Sequence, residues 1–236
     1  MPRTARIAPK EHVYHVLTRG NNRQDVFEDE EDFKKYLHLL LHYKKKFHFK
    51  LYHYVMMNNH VHLIIEPSEG GGHLSEIMKG INLSYAGHYK RKYRHTGHFW
   101  QDRYKSIIIS KDEYLIACGS YVELNPVRAK LVEDPKDYTW SSYRAYAYGK
   151  RDILVDEPPV YPQLSGEEKE RRKKYRDFVR GMLKENEAMK GEMDRRIVYG
   201  GEDFVKDMTT IYNISEKIKR MGRQRGWRKN KENRPL

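Results

Sequence analysis

The chain has 236 residues, with 46 Lys and Arg against 33 Asp and Glu for a formal charge of +13, and 19 of its residues are tyrosine. Positive charge combined with many aromatic rings suits a polyanion whose unpaired bases can stack, that is, a nucleic acid. The lone cysteine, Cys118, excludes an intramolecular disulfide and a multi-cysteine zinc site. No apolar run is long enough to span a membrane, and no apolar stretch follows the basic start to form a signal peptide, so a cytoplasmic protein is expected.

His12 to Thr18 is rich in strand formers, and Arg19-Gly20-Asn21-Asn22 ends it with turn residues. Asp29 to Lys46 follows with Phe33, Tyr36, Leu37, Leu40 and Leu41 at helical spacing; an acidic start and a Lys44-Lys45-Lys46 end suit the helix dipole. Lys50 to Met57 and His60 to Glu66 read as an antiparallel hairpin turning at Asn58-Asn59. Ser68 to Gly72 is a loop, and His73 to Lys92 is a helix whose end, His88 to His95, interleaves basic and aromatic groups. That mixture suits either a solvated helix end or a nucleic-acid contact. His98 to Ile109 reads as a strand and Lys111 to Leu124 as a helix. Pro126 disfavours helical geometry at Asn125 and opens a new helix over 127–132.

The order β-α-β-β-α-β-α predicts an α+β fold: a ferredoxin-like antiparallel sheet with helices on one face and the other face open to a substrate. Residues 134–149 read as a loop whose tyrosines and Trp140 pack onto the sheet. Pro158, Pro159 and Pro162 then mark a boundary. The expected division is a sheet domain over 1–150, a Pro-rich linker over 151–164 and a helical basic extension over 165–236. Within the extension, Lys217 to Lys231 carries eight basic residues and no acidic one, which suits phosphate binding by counterion release.

The chemistry centres on His60-Val61-His62. Strand alternation puts both imidazoles on one face, where they form half of a metal site or a pair of ordinary core histidines. Tyr121 and Asn125, four residues apart, share a helix face if the helix extends that far. Tyr121 reads either as a nucleophile or as a packing tyrosine, and Asn125 as a ligand through its amide oxygen or as a helix cap.

Three stretches, in this order, carry a resemblance: His60-Val61-His62 between apolar strands, His98-Phe99-Trp100-Gln101-Asp102-Arg103-Tyr104-Lys105, and Tyr121-Val122-Glu123-Leu124-Asn125-Pro126-Val127-Arg128-Ala129. With Arg19-Gly20-Asn21, they resemble the REP-associated tyrosine transposases, single-tyrosine HUH enzymes of the IS200-like superfamily, over roughly residues 8 to 148. The resemblance implies a metal-dependent endonuclease and strand transferase acting on single-stranded DNA at palindromic, hairpin-forming repeats. Its covalent intermediate would be a 5′-phosphotyrosine. Tyr121 would be the nucleophile, His60 and His62 ligands of Mg²⁺ or Mn²⁺, and Asn125 would stand where relatives hold a polar third ligand. Arg19, Lys90, Arg91, Arg94, Trp100, Arg103, Tyr104, Lys105, Arg128, Arg223, Arg225 and Arg228 are the DNA-contact candidates. Glu66 and His15 are neighbouring strand residues outside the expected set. The competing reading is a hairpin-binding protein with an idle catalytic set. The long extension points to a monomer rather than a dimer.

Overall fold

The computed structural model describes residues 8–193 and 196–214. In chain order the elements are β1 (Val13–Arg19), α1 (Glu30–Phe47), β2 (Lys50–Met57), β3 (His60–Glu66), α2 (Leu74–Tyr93), β4 (Lys105–Ile109), α3 (Glu113–Glu123), α4 (Asn125–Arg128), α5 (Tyr143–Tyr148), α6 (Glu168–Met193), β5 (Val198–Tyr199) and α7 (Glu202–Ile211). They build an α+β protein on one five-stranded sheet ordered β2-β3-β1-β4-β5. The first four strands are antiparallel, the order expected of a ferredoxin-like sheet, and β5 adds in parallel to β4.

Local chemistry explains the element boundaries. Asp29 caps α1 by accepting from the Asp32 amide, and Asp112 caps α3 by accepting from the Tyr114 amide. At the start of α2 the Glu76 carboxylate accepts from the His73 amide at 2.8 Å. The hairpin strands begin and end where the sequence places them, at Lys50–Met57 and His60–Glu66.

Helices cover both faces of the sheet, not one as expected. On one face, α1 and α2 bury Phe33, Tyr36, Leu40, Ile77 and Ile81 against Tyr14, Val16, Leu63 and Ile65. On the other, α3, α5 and α6 bury Leu115, Val122, Tyr146, Tyr175 and Val179 against Val13, Val55, Ile64 and Ile109. The reason lies in the strands, whose apolar residues run nearly without interruption; a strand of that kind must be covered twice. No face of the sheet is left open along its whole length.

Three further differences have local causes. The strand expected from His98 begins only at Lys105, because the Phe99 carbonyl accepts from the Asn21 amide and Trp100 bridges to Gly20, wrapping this stretch around the end of β1. Residues 143–148 are helical, with Tyr143 and Tyr146 buried three positions apart. Residues 151–164 do not run free: Leu154, Val160 and Tyr161 are buried, and Asp156 pairs with Leu51 through both its backbone and its side chain. With the Met56–Trp140 backbone bond, this covers the edge of β2, which would otherwise offer unpaired amides to another chain. Tyr138, Tyr143 and Tyr146 pack as expected, Tyr138 donating to the Met56 carbonyl at 2.6 Å and Tyr146 to the Tyr52 carbonyl, while Tyr148 is exposed. Among the described residues, no helix is long and apolar enough to cross a membrane.

Candidate active site

Strand alternation sets the site. In β3, Val61, Leu63 and Ile65 enter the core beneath α1 and α2, so His60 and His62 lie on the opposite face with Ile64. Their ring centroids are 5.0 Å apart and nearly perpendicular. Helix α3 crosses this face at close range. A Cβ on Gly119 would lie 2.6 Å from the His53 ring, so only glycine permits the approach. That approach brings the Tyr121 ring to 6.2 Å from His62 and 6.0 Å from His15, edge-on to both. Tyrosine and histidines thus come together within one chain.

His15, outside the expected set, is part of this constellation. Its Nε2 is 2.7 Å from His62 Nδ1, and the two rings stack at 5.0 Å with 11° between their planes. The antiparallel β1–β3 register creates the contact, pairing His15 with Ile64 and Leu17 with His62. Asn59 plays the matching part for His60. Its amide Nδ2 donates to the Arg23 carbonyl, which turns Oδ1 towards His60 Nδ1 at 2.6 Å. An acceptor at Nδ1 favours the proton there, which makes Nε2 the ring nitrogen able to ligate. Burial pushes His15 down to about 4, with the nearby Arg128 charge adding to it, and holds His62 well below the ordinary histidine range, helped by His15 and His60. The buried pair is therefore neutral near pH 7, the form that ligates metals.

These donors fit a divalent cation through two Nε2 atoms. Among the described residues no group of three or more His, Cys, Asp or Glu side chains could hold a metal, so a further ligand from these residues is of another kind. Asn125 neither N-caps α4 nor faces away from the site's helix. Its Nδ2 donates to the Tyr121 and Val122 carbonyls at 3.1 and 3.0 Å, closing the end of α3. Two carbonyl acceptors fix the NH₂ end, so the amide oxygen, the atom able to ligate, is outside these bonds.

The DNA-contact candidates fall into groups. Arg128 lies over the Tyr121 ring, 4.0 Å from guanidinium carbon to centroid. Arg19 pairs with His60 in the β1–β3 register, and Lys105 pairs with Leu17, so both stand on the histidine face. Lys90, Arg91 and Arg94 are exposed at the end of α2. Their neighbours there are structural: Lys92 binds Asp29 and Asp32, Tyr93 binds Asp32, and Tyr89 binds Glu28, locking α2 to the start of α1. Trp100, Arg103 and Tyr104 line a cavity against α2, on the far side of the sheet from the histidines. Arg223, Arg225 and Arg228 lie outside the described residues.

Behind Tyr121, Glu123 is fully buried and accepts from His53 Nδ1 at 2.9 Å, Ser142 Oγ at 2.6 Å and Tyr175 Oη at 2.6 Å. This carboxylate ties the tyrosine's helix to β2, to the start of α5 and to α6. Nothing in the local sequence around any of the four residues signals the cluster.

Comparison with known proteins bears on the fold and the family. No curated protein matches the chain. Among solved structures, a REP-associated tyrosine transposase bound to a REP hairpin superposes with a TM-score of 0.52 at 19% identity, covering 66% of this chain and 92% of the other, which shows a shared fold. The sequence profile described as "Transposase IS200 like" matches residues 9–125, a span holding the histidine pair, His15, Tyr121 and Asn125. Residues 9–125 therefore form a domain of the IS200-like transposase family.

Proposed function

We propose that this protein cleaves and rejoins single-stranded DNA beside hairpin-forming repeats, through a 5′-phosphotyrosine intermediate on Tyr121. The observation that carries the reading is the meeting of Tyr121 with His60, His62 and Arg128 at one end of the sheet, where basic strand residues share the face. In the cleavage step the Tyr121 oxygen bonds to the phosphorus and the bond from phosphorus to the 3′ oxygen breaks. The phenolic proton is released and the departing oxygen is protonated, leaving a 3′-hydroxyl that can reverse the step or join another strand. Mg²⁺ or Mn²⁺ on His60 and His62, with the Asn125 amide oxygen as a third ligand, would polarise the scissile phosphate. His15 and Asn59 hold the ligand tautomers. Arg19 and Lys105 meet the backbone phosphates that lead into the site.

Incubating the protein with hairpin-bearing single-stranded DNA and Mn²⁺ or Mg²⁺ tests this. A covalent protein–DNA adduct is expected, absent with a chelator and absent when both His60 and His62 are alanine. One observation favours a second reading: Tyr121 is only 5% exposed, as a packing residue would be. Tight hairpin binding with no adduct under any condition would establish that reading, a hairpin-binding protein without cleavage.

The basic run over 217–231 is proposed to grip the DNA. A chain ending at residue 214 retains every core residue of the described fold, so it is expected to melt as the full chain does. Its hairpin affinity should fall and its salt dependence should weaken by several phosphate contacts' worth. An unchanged slope of affinity against salt would remove the tail from the account.

A further inference from the structure

A cavity of about 710 Å³ opens between α2 and the stretch 98–104. Its lining is mostly apolar or aromatic, with Met78, Leu83, Trp100 and Tyr104, and Lys79 and Arg103 stand at it as cations with Asp102 as the one carboxylate. Leu83 is 63% exposed, so the cavity is open to solvent at that edge. One polar group in it is out of place. Asn82 is nine-tenths buried, and its Oδ1 has no hydrogen-bond partner among the described residues. The other end of the amide makes only a long contact, 3.4 Å, to Thr18 Oγ. A buried amide oxygen without a donor is costly, and such a group marks a place where a ligand or water supplies one. Nearby, the Trp100 indole nitrogen donates to the Asn82 carbonyl at 2.9 Å, which fixes the ring against α2.

The cavity's position connects it with the active site. Thr18, Arg19 and Gly20 are consecutive. Thr18 contacts Asn82, Arg19 pairs with His60, and Gly20 bridges to Trp100. A single strand rounding this end of the sheet passes from the histidine face to the cavity mouth, with cations at both places. We propose that the cavity holds one unstacked nucleobase of the bound DNA, stacked or packed against Trp100, with its exocyclic amine donating to Asn82 Oδ1. Aromatic packing combined with one polar group at the base edge is the way single strands and extruded bases are held. The inference rests on the DNA reading above and adds to it a site for a single base, away from the chemistry.

The test is an abasic scan of the single-stranded flanks of a hairpin substrate, read as binding affinity under conditions without cleavage. In the wild-type protein, one position should lose about 5- to 150-fold in affinity when its base is removed, the range for one stacked base. In Asn82→Ala that penalty should shrink. Ser75→Trp, on an exposed position lining the cavity, should occupy it without removing a buried contact and abolish the penalty; thermal melts of both variants confirm the fold. Wild-type binding with the same abasic penalties in both variants overturns the base site alone. Absence of any wild-type binding to hairpin DNA overturns the DNA reading as well.

Discussion

Tyr121→Phe is expected to abolish the covalent adduct, a loss of about 10⁴-fold or more in cleavage, as removal of a nucleophile does in other covalent enzymes. Hairpin affinity should hold within about twofold, because the phenylalanine ring keeps the ring contacts with His15, His62 and Arg128. The Arg128 guanidinium remains over the ring, and the edges towards His15 and His62 are unchanged. The variant removes one oxygen and keeps the buried ring, and the melting temperature reads what that oxygen does for the fold. Cleavage retained in this variant would assign the attack to another group. Loss of binding together with cleavage would mean that the hydroxyl serves the fold.

Glu123→Ala carries the largest expected loss of stability, about 3–5 kcal/mol, the range for breaking a fully buried charged cluster. Three groups, on His53, Ser142 and Tyr175, would lose their acceptor in a place without water. For a chain of this size the shift in melting temperature is roughly 6–20 °C. Tyr175→Phe removes one of the three bonds and should cost only about 1–2 kcal/mol. The same cluster shows that α6 is built into the sheet's second core: Tyr175 and Val179 are at most 1% exposed within it. A chain ending at residue 164 would therefore expose that core and is expected to lose cooperative folding, unlike the chain ending at 214. Thermal melts of the two truncations and the two point variants check the whole set. A Glu123→Ala protein that melts with the wild type would contradict it.

The features legible in the sequence are those that local rules govern. Alternation alone put His60 and His62 on one face, and the Asn58-Asn59 turn placed the hairpin to the residue. Helical spacing located α1, α2 and α3, although α5, with buried Tyr143 and Tyr146 in a tyrosine-rich stretch, looked like packed loop. What escaped depends on non-local pairing. His15 sits among strand formers like any half-buried residue, and only the β1–β3 register puts its ring on His62. Phe99 and Trp100 are aromatic enough for a strand, yet they serve the core and the end of β1 and leave the ladder to Lys105 onwards. Two residues, Val198 and Tyr199, complete the sheet as β5; a strand that short has no period to detect. The Asn125 amide could be weighed as ligand or cap from its spacing to Tyr121. Its bonds to the α3 carbonyls became visible only with the backbone in place.

The second histidine layer also makes a quantitative claim. His15→Phe keeps a ring stacked on His62 but takes away the acceptor at Nδ1, so Mn²⁺ affinity measured by calorimetry should fall about 10- to 100-fold. Unchanged affinity would leave His15 a packing residue.

The measurement closest to the central claim is peptide mapping of the adduct by mass spectrometry. After nuclease and protease digestion, the account predicts a nucleotide joined through its 5′-phosphate to the peptide containing Tyr121 and to no other tyrosine of the 19. A nucleotide joined to a different residue, or to Tyr121 through a 3′-phosphate, would contradict it.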